Sequence, residues 1–201
     1  MRKQELRNEI RRAIDALSAA YREKASAVIC SKILSSDEYR NSRTILLYVP
    51  LPDEVDITPV IEQAIRDRKE VALPVIDGSQ MIFRRVDTLW KGKLKAGALN
   101  VAEPIDTCNE LVLSSRKKVL IITPGRAFST QGVRLGRGAG YYDRFFSSEG
   151  AEGVRIAAAF DLQITDMVPY EPHDLPVHII YTESRTIRDQ APLPTARKSE
   201  S

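Results

Sequence analysis

"RTILLYVPLPDEVDITPVIEQAIRDRKEVALPVI" occupies residues 43–76. Its opening, "RTILLYV" (43–49), runs apolar without alternation and stops at Pro50. That is the pattern of a strand buried on both faces, as in a parallel sheet. "DITPVIEQAIRDRK" then changes to helical spacing. Thr58 is expected to cap that helix, with Pro59 at its first position, where a missing N–H costs no hydrogen bond. "EVALPVI" (70–76) is a second buried strand. Strand, helix and strand within about 35 residues predict a right-handed crossover, and hence parallel pairing.

The flanking segments extend that unit. On the N-terminal side, Leu6, Ile10, Ala13, Ile14 and Leu17 recur at helical spacing, with lysines and arginines on the other faces. Ser18 is placed to cap a second helix through Ser35, with Tyr21, Ala25, Val28, Ile29, Ile33 and the stem of Lys32 on its inner side. On the C-terminal side, "MIFRRV" (81–86) is expected as a strand near an edge. "KVLIIT" (118–123), "VRIAAAF" (154–160) and "HIIYTE" (178–183) follow as further strands, and "YYDRFFSS" as the start of a helix. "PGRAFSTQGVRLGRGAG" and "DLQITDMVPYEPHDLPV" are expected as loops, and 87–118 as a long connection with short elements. The order predicts an α/β fold of three layers, a mainly parallel central sheet flanked by helices. Residues 1–186 form one domain on this reading, and 187–201 a polar tail without fixed structure.

The chain has 201 residues and a formal net charge of +3, with its acidic residues spread throughout. That balance argues against a nucleic-acid partner and confines any positive field to a local patch. Cys30 and Cys108 are the only cysteines and form no metal or disulfide framework. The apolar runs are too short to span a bilayer, and "MRKQELRNEIRRAID" has no apolar stretch of a secretory signal. A cytoplasmic protein without a membrane partner is expected, acting as a monomer.

One stretch is not explained by packing. "GVRLGRGAGYYDRF" (132–145) puts four glycines, three arginines, two tyrosines and an aspartate into fourteen positions. It follows a buried strand and runs into a helix start, where free N–H groups and the dipole favour an anion. Glycines let the backbone approach a polyphosphate, and Arg134 and Arg137 bring forked donors suited to its oxygens. No Gly-Lys-Ser/Thr follows, so the loop is not a Walker motif. Asp143 has two readings: it complements a helix N-terminus, or it joins phosphate oxygens in holding Mg²⁺, which usually takes only one or two carboxylates.

This stretch closely resembles the signature of the 5-formyltetrahydrofolate cyclo-ligase family, also called methenyltetrahydrofolate synthetases. "KQELR" is similar to that family's opening, and "YVPLPDEVDITPVI" to its first strand, Glu-containing turn and helix. "ALPVI", "AEPI", "PGRAFSTQG", "FDLQ", "VP", "EPHD" and "YTE" follow in the family's order, so the resemblance covers residues 3 to about 183. It implies a three-layer α/β fold and ATP- and Mg²⁺-dependent closure of 5-formyltetrahydrofolate to 5,10-methenyltetrahydrofolate, with ADP and phosphate released.

The resemblance also implies roles. Lys3 and Arg7, otherwise a solvated basic face, match ATP contacts, as do Arg134, Leu135, Gly136, Arg137, Gly138, Ala139, Gly140, Tyr141 and Tyr142. The segment Arg137, Gly138, Ala139, Gly140 and Tyr141 also matches the part that meets the folate, with Arg137 and Tyr141 as the catalytic residues. Val49 and Glu54 match substrate contacts, and a glutamate there could accept from pterin N–H groups. Asp143 and Asp174 match the magnesium carboxylates; the other reading of Asp174 is a turn cap beside Pro176. The chain departs from the pattern at Ser129, where many members have aspartate, and at Ala139, where some have lysine. His173 and His178 have no partners at metal-ligand spacing, Ser184 has no matching base, and Trp90 is expected to pack, with pterin stacking as its other reading. The competing functions are an ATP-dependent enzyme with another small acceptor, and a non-catalytic binder of folate or RNA.

Overall fold

A computed structural model describes residues 2–98, 101–113, 118–148, 153–171 and 175–188. The chain begins with α1 (Lys3–Asp15), α2 (Ala19–Leu34) and the short α3 (Asp37–Asn41), then enters the sheet at β1 (Thr44–Leu46). α4 (Thr58–Arg66) crosses to β2 (Glu70–Asp77), which turns directly into β3 (Gln80–Val86). A small hairpin, β4 (Leu94–Ala96) and β5 (Ala102–Pro104), precedes β6 (Val119–Thr123). Then come β7 (Ala127–Ser129), β8 (Arg134–Leu135), α5 (Tyr141–Ser148), β9 (Val154–Ala158), β10 (Ile164–Thr165), β11 (Ile179–Tyr181) and β12 (Thr186–Arg188).

Seven strands form the main sheet in the order β12-β11-β9-β6-β1-β2-β3. The five central strands are parallel, and each edge is closed by an antiparallel neighbour, β3 against β2 and β12 against β11. The apolar runs of the sequence therefore alternate between two cores. Ile45, Leu120, Ile122 and Ile156 join α1, α2 and α4 on one face. Leu46, Ala72, Ile121 and the α5 residues Phe145 and Phe146 pack on the other, where Phe128 of β7 also covers Ala157 and Ile180. This is the expected three-layer α/β arrangement around a mainly parallel sheet.

Several local expectations are corrected. The inner face of α2 is Ala25, Ser26, Ile29, Cys30 and Ile33, whereas Tyr21 and Val28 are 44% and 36% exposed. Tyr21 instead donates to Glu183, and Lys32 to the carbonyls of Thr182 and Glu183. The helix expected from Pro59 starts one residue earlier, with Ile57 rather than Thr58 at the N-cap position, and the Thr58 N–H donates to Asp56 at 2.9 Å. The segment expected as loop after β6 contains β7 and β8, which pair with each other and with β10 in a separate sheet. Their two or three residues are too few to show a period. The last strand reaches Arg188, beyond the expected boundary at 186; from residue 189 the tail lies outside the described residues.

Among the described residues no helix is long and apolar enough to cross a membrane. Both thiols are buried, and burial pushes the Cys30 thiol up to about 12, which keeps it protonated and inert. The α2 correction is measurable by chemical denaturation. Ile29→Ala should cost roughly 2–5 kcal/mol, because it empties a fully buried site between α2 and the sheet. Val28→Ala, one position along, should change stability by less than about 0.5 kcal/mol.

Candidate active site

β1 pairs with β2 on one side and β6 on the other. The chain leaves β1 toward β2 and later returns at β6 to continue the other way, so the strand order switches between β1 and β6. Loops diverge at the C-terminal ends of such strands and leave a crevice. A cavity of about 350 Å³ lies there. Tyr48, Val49, Leu51 and Glu54 enter it from beyond β1, Pro124 and Gly125 from beyond β6, and the glycine loop from β8 to α5 forms another wall.

The structure brings fourteen sequence-predicted residues to this one cavity: Lys3, Arg7, Val49, Glu54, Arg134, Leu135, Gly136, Arg137, Gly138, Ala139, Gly140, Tyr141, Tyr142 and Asp143. Asp174 and His173 lie outside the described residues. Lys3 and Arg7 do not form a solvated face. They project from one side of α1, and Arg7 Nε donates to the Gly136 carbonyl at 2.9 Å. A Cβ on Gly138 would only touch that guanidinium, at 3.7 Å from Cζ. Gly138 and Gly140 have φ of +117° and +70°, a region in which side chains are strained, so the bend from β8 into α5 requires glycine.

Charge is compensated pairwise. Arg134, whose side chain is 4% exposed, pairs with Asp143 across the first turn of α5. Arg137 pairs with both Asp53 and Glu54, and Asp53 also takes Arg126 at 2.6 Å. Lys3 meets Glu171 at 2.8 Å. Burial alone would raise the Asp53 carboxyl, but hydrogen bonds from Arg126 and Arg137 outweigh it and hold the group below its usual range. For Glu54, burial is the larger effect. Its carboxyl stays above the usual range despite Arg137 and the Leu51 N–H. Asp53 and Arg126 were not singled out from sequence, although Asp53 adjoins Glu54, which was. Their signal is complementary charge at the C-terminal ends of two strands adjacent in the sheet, and it appears only once β1 and β6 are known to pair.

Two buried donors remain without a partner among the described residues, Arg134 Nε and the Tyr142 hydroxyl, and both residues line the cavity. Burial, with the Glu54 charge nearby, pushes the Tyr142 phenol well up, so it stays a donor. Tyr141 is partly exposed, with the Arg144 guanidinium 4.8 Å from its ring centre. A further wall is made by Pro74, Ile76 and Met81, on strands the sequence does show, and by Ala98, Val101 and Glu103, in the connection 87–118 that shows no periodicity.

Other candidates fall away. Trp90 packs in the core on the α4 face and does not line this cavity. The His178 ring meets the Arg155 N–H at 2.9 Å, a strand-end role. Ser184 donates to Asp161 at 2.7 Å. Ser129 is 2% exposed, outside the cavity lining, and its hydroxyl accepts from the N–H groups of Gln131 and Val133. Among the described residues no three His, Cys, Asp or Glu side chains cluster as a metal site.

Comparison with known proteins agrees with this geometry. The solution structure of the Aquifex aeolicus 5,10-methenyltetrahydrofolate synthetase superposes with a TM-score of 0.80 at 30% identity, over all of both chains. The 5-formyltetrahydrofolate cyclo-ligase of Mus musculus is 29% identical over 191 residues, covering 90% of this chain and 94% of that protein. Its Escherichia coli counterpart is 27% identical over 180 residues, covering 88% and 97%. The model of the 5-formyltetrahydrofolate cyclo-ligase family matches residues 1–183, nearly every residue that builds the sheet and its cavity, and the chain belongs to that family of enzymes.

Proposed function

We propose that the protein uses ATP and Mg²⁺ to close 5-formyltetrahydrofolate to 5,10-methenyltetrahydrofolate. The observation that carries this reading is the glycine loop faced by Lys3, Arg7, Arg134 and Arg137 within one cavity, where Arg134 Nε and the Tyr142 hydroxyl lie buried and unpaired among the described residues. A buried unpaired donor costs about 1–3 kcal/mol, and an oxygen-rich ligand such as a polyphosphate relieves it. The names of the relatives supply the folate half of the reaction.

The chemistry needs activation because a formamide oxygen is a poor leaving group. That oxygen attacks the γ-phosphorus, its bond to phosphorus forms, and ADP leaves. N10 of the folate then attacks the activated formyl carbon and loses its proton. The carbon–oxygen bond breaks, and phosphate departs with the electron pair. Lys3, Arg7, Arg134 and the backbone of Leu135–Gly140 bind the phosphates, with Tyr142 donating to them. Arg137 neutralises charge on the transferring group, Tyr141 borders the reacting atoms, and Val49 and Glu54 border the folate. Asp143 fits a magnesium role. Its side chain is 27% exposed in the cavity wall, Oδ1 accepts from Arg134, and one or two carboxylates suffice when phosphate oxygens complete the shell. When bound, Mg²⁺ supplies charge neutralisation on the phosphate oxygens. Asp174 is the second proposed carboxylate.

The direct test is purified protein with 5-formyltetrahydrofolate, ATP and Mg²⁺, read by the absorbance change on ring closure. Turnover should vanish without nucleotide or with the metal chelated, and an equal rate without ATP overturns the reading. Arg137→Ala should lower kcat by about 10²–10³, as for loss of one preorganised donor at a developing charge. An unchanged kcat with only KM raised would make Arg137 a ground-state binder.

Glu54→Gln tests the balance at the mouth of the cavity. A carboxyl held above its ordinary value of 4.5 favours the folded state below the unfolded value and loses that contribution as pH rises through the folded value. The variant should therefore melt with the wild type at acid pH and above it at neutral pH, while turnover falls. A wild type that melts higher at neutral pH would show that the Arg137 pair outweighs the burial of Glu54.

A further inference from the structure

Four carboxylates stand in the wall of the cavity: Glu54, Glu103, Asp143 and Glu171. Arg137 pairs with Glu54, Arg134 with Asp143 and Lys3 with Glu171. Among the described residues no cation pairs with Glu103, although it is only 5% exposed. Its Oε1 accepts from the N–H groups of Ile76 and Ala98, at 3.3 and 3.2 Å, which fixes the side chain between the end of β2 and the β4–β5 hairpin. Oε2 has no hydrogen-bond partner among the described residues.

Gly97 shows that this placement is built in. A Cβ there would stand 2.1 Å from Cδ of Glu103 and 2.5 Å from Oε2, and Gly97 does not have a positive φ. Its missing side chain is therefore explained by the close approach of Glu103, not by the turn. Beside Glu103 the wall is apolar, made by Pro74, Ile76, Met81 and Val101. It also differs in character from the opposite side of the cavity, where α1 and the glycine loop carry the cations of the lining, Lys3, Arg7, Arg134 and Arg137.

We propose that Glu103 is the specificity residue of this wall, and that its Oε2 accepts hydrogen bonds from a flat heteroaromatic ring that presents adjacent N–H donors. A carboxylate offers acceptors only. The 2-amino-4-oxo ring of a reduced folate presents its amino group and the neighbouring ring N–H side by side. The adenine amino group lies instead beside ring nitrogens whose lone pairs the carboxylate repels. The wall thus takes the pteridine and excludes the adenine, while Glu54 borders the folate from beyond β1 and holds Arg137. This assignment rests on the folate reading of the site and deepens it.

Calorimetric titration of the full chain with 5-formyltetrahydrofolate, and separately with a non-hydrolysable ATP analogue plus Mg²⁺, tests it. Glu103→Gln keeps an oxygen for the Ile76 and Ala98 N–H groups but turns a donor toward the ring. Its melting temperature should stay close to that of the wild type. Its Kd for the folate should rise about 10–100-fold, the usual loss for a hydrogen bond to a charged group, with the nucleotide Kd within about twofold. Unchanged folate affinity overturns the proposal, and so does a weakened nucleotide in its place, which would make this the purine wall. A wild-type measurement covers the case of a variant that does not fold: a reduced folate whose 2-amino group is replaced by methyl should bind at least tenfold more weakly, and equal affinity overturns the proposal. Wild type that binds no 5-formyltetrahydrofolate, with or without nucleotide, removes the functional reading itself and Glu103 with it.

Discussion

Thr44, Ile45 and Leu46 are paired on both sides, with Glu70, Val71 and Ala72 of β2 and with Val119, Leu120 and Ile121 of β6. Parallel pairing on both flanks puts the exits of β1, β2 and β6 at the same end of the sheet, and the connection from β1 to β2 returns over a face through α4. Because the chain departs toward β2 and resumes from β6 in the other direction, nothing crosses the gap between the two exits. The cavity follows from that constraint. Its lining side chains sit on segments just beyond strand ends, where the backbone is free to turn but anchored within a few residues by fully buried positions such as Leu46 and Ile122. A loop mounted this way gains precision from the sheet without having to be rigid itself.

The electrostatics of the cavity are arranged so that charge is held but not exhausted. Arg137 shares two carboxylates, and one of them, Asp53, is shared in turn with Arg126. On the proposed function, a phosphate that drew on Arg137 would compete with this network and would not meet a bare cation, and Arg126 would keep Asp53 paired. Glu54 behaves differently, since burial raises its carboxyl even beside a guanidinium.

The sequence made the sheet legible because its strands are buried on both faces and read as continuous apolar runs; β1, β2, β6, β9 and β11 were all visible in this way. The short strands β7, β8 and β10 were not, because two or three residues carry no period. The face of α2 was misread for a different reason. Cys30 and Ser26 are small enough to lie against the sheet, while the larger Tyr21 and Val28 face outward, so size and polarity pointed the wrong way. The glycine loop was legible from composition and, through its resemblance to a family signature, drew Lys3, Arg7, Val49 and Glu54 with it. Asp53, Arg126 and Glu103 were silent. Each acts through a neighbour distant in sequence, and only the strand pairing brings those neighbours within reach.

The two departures from the family pattern can be weighed on the same footing. Ser129 stands where many members have aspartate, and its hydroxyl accepts from the N–H groups of Gln131 and Val133, closing the turn between β7 and β8. Aspartate and serine both hold turns through such bonds to the backbone one or two residues on. Ser129 is 2% exposed and lies outside the cavity lining, so the part of the aspartate's work that concerns the turn is preserved and a part that reaches the phosphates is not supported. Ala139 is different, since it is exposed on the cavity wall between two glycines of positive φ or close contact. A lysine there would add a cation to a wall that already holds Lys3, Arg7, Arg134 and Arg137. Arg7 reaches this loop from α1 and bonds the Gly136 carbonyl, so it supplies charge from the opposite side of the same turn. The charge of the site is thus set by how α1 docks on the loop as much as by the loop's own sequence.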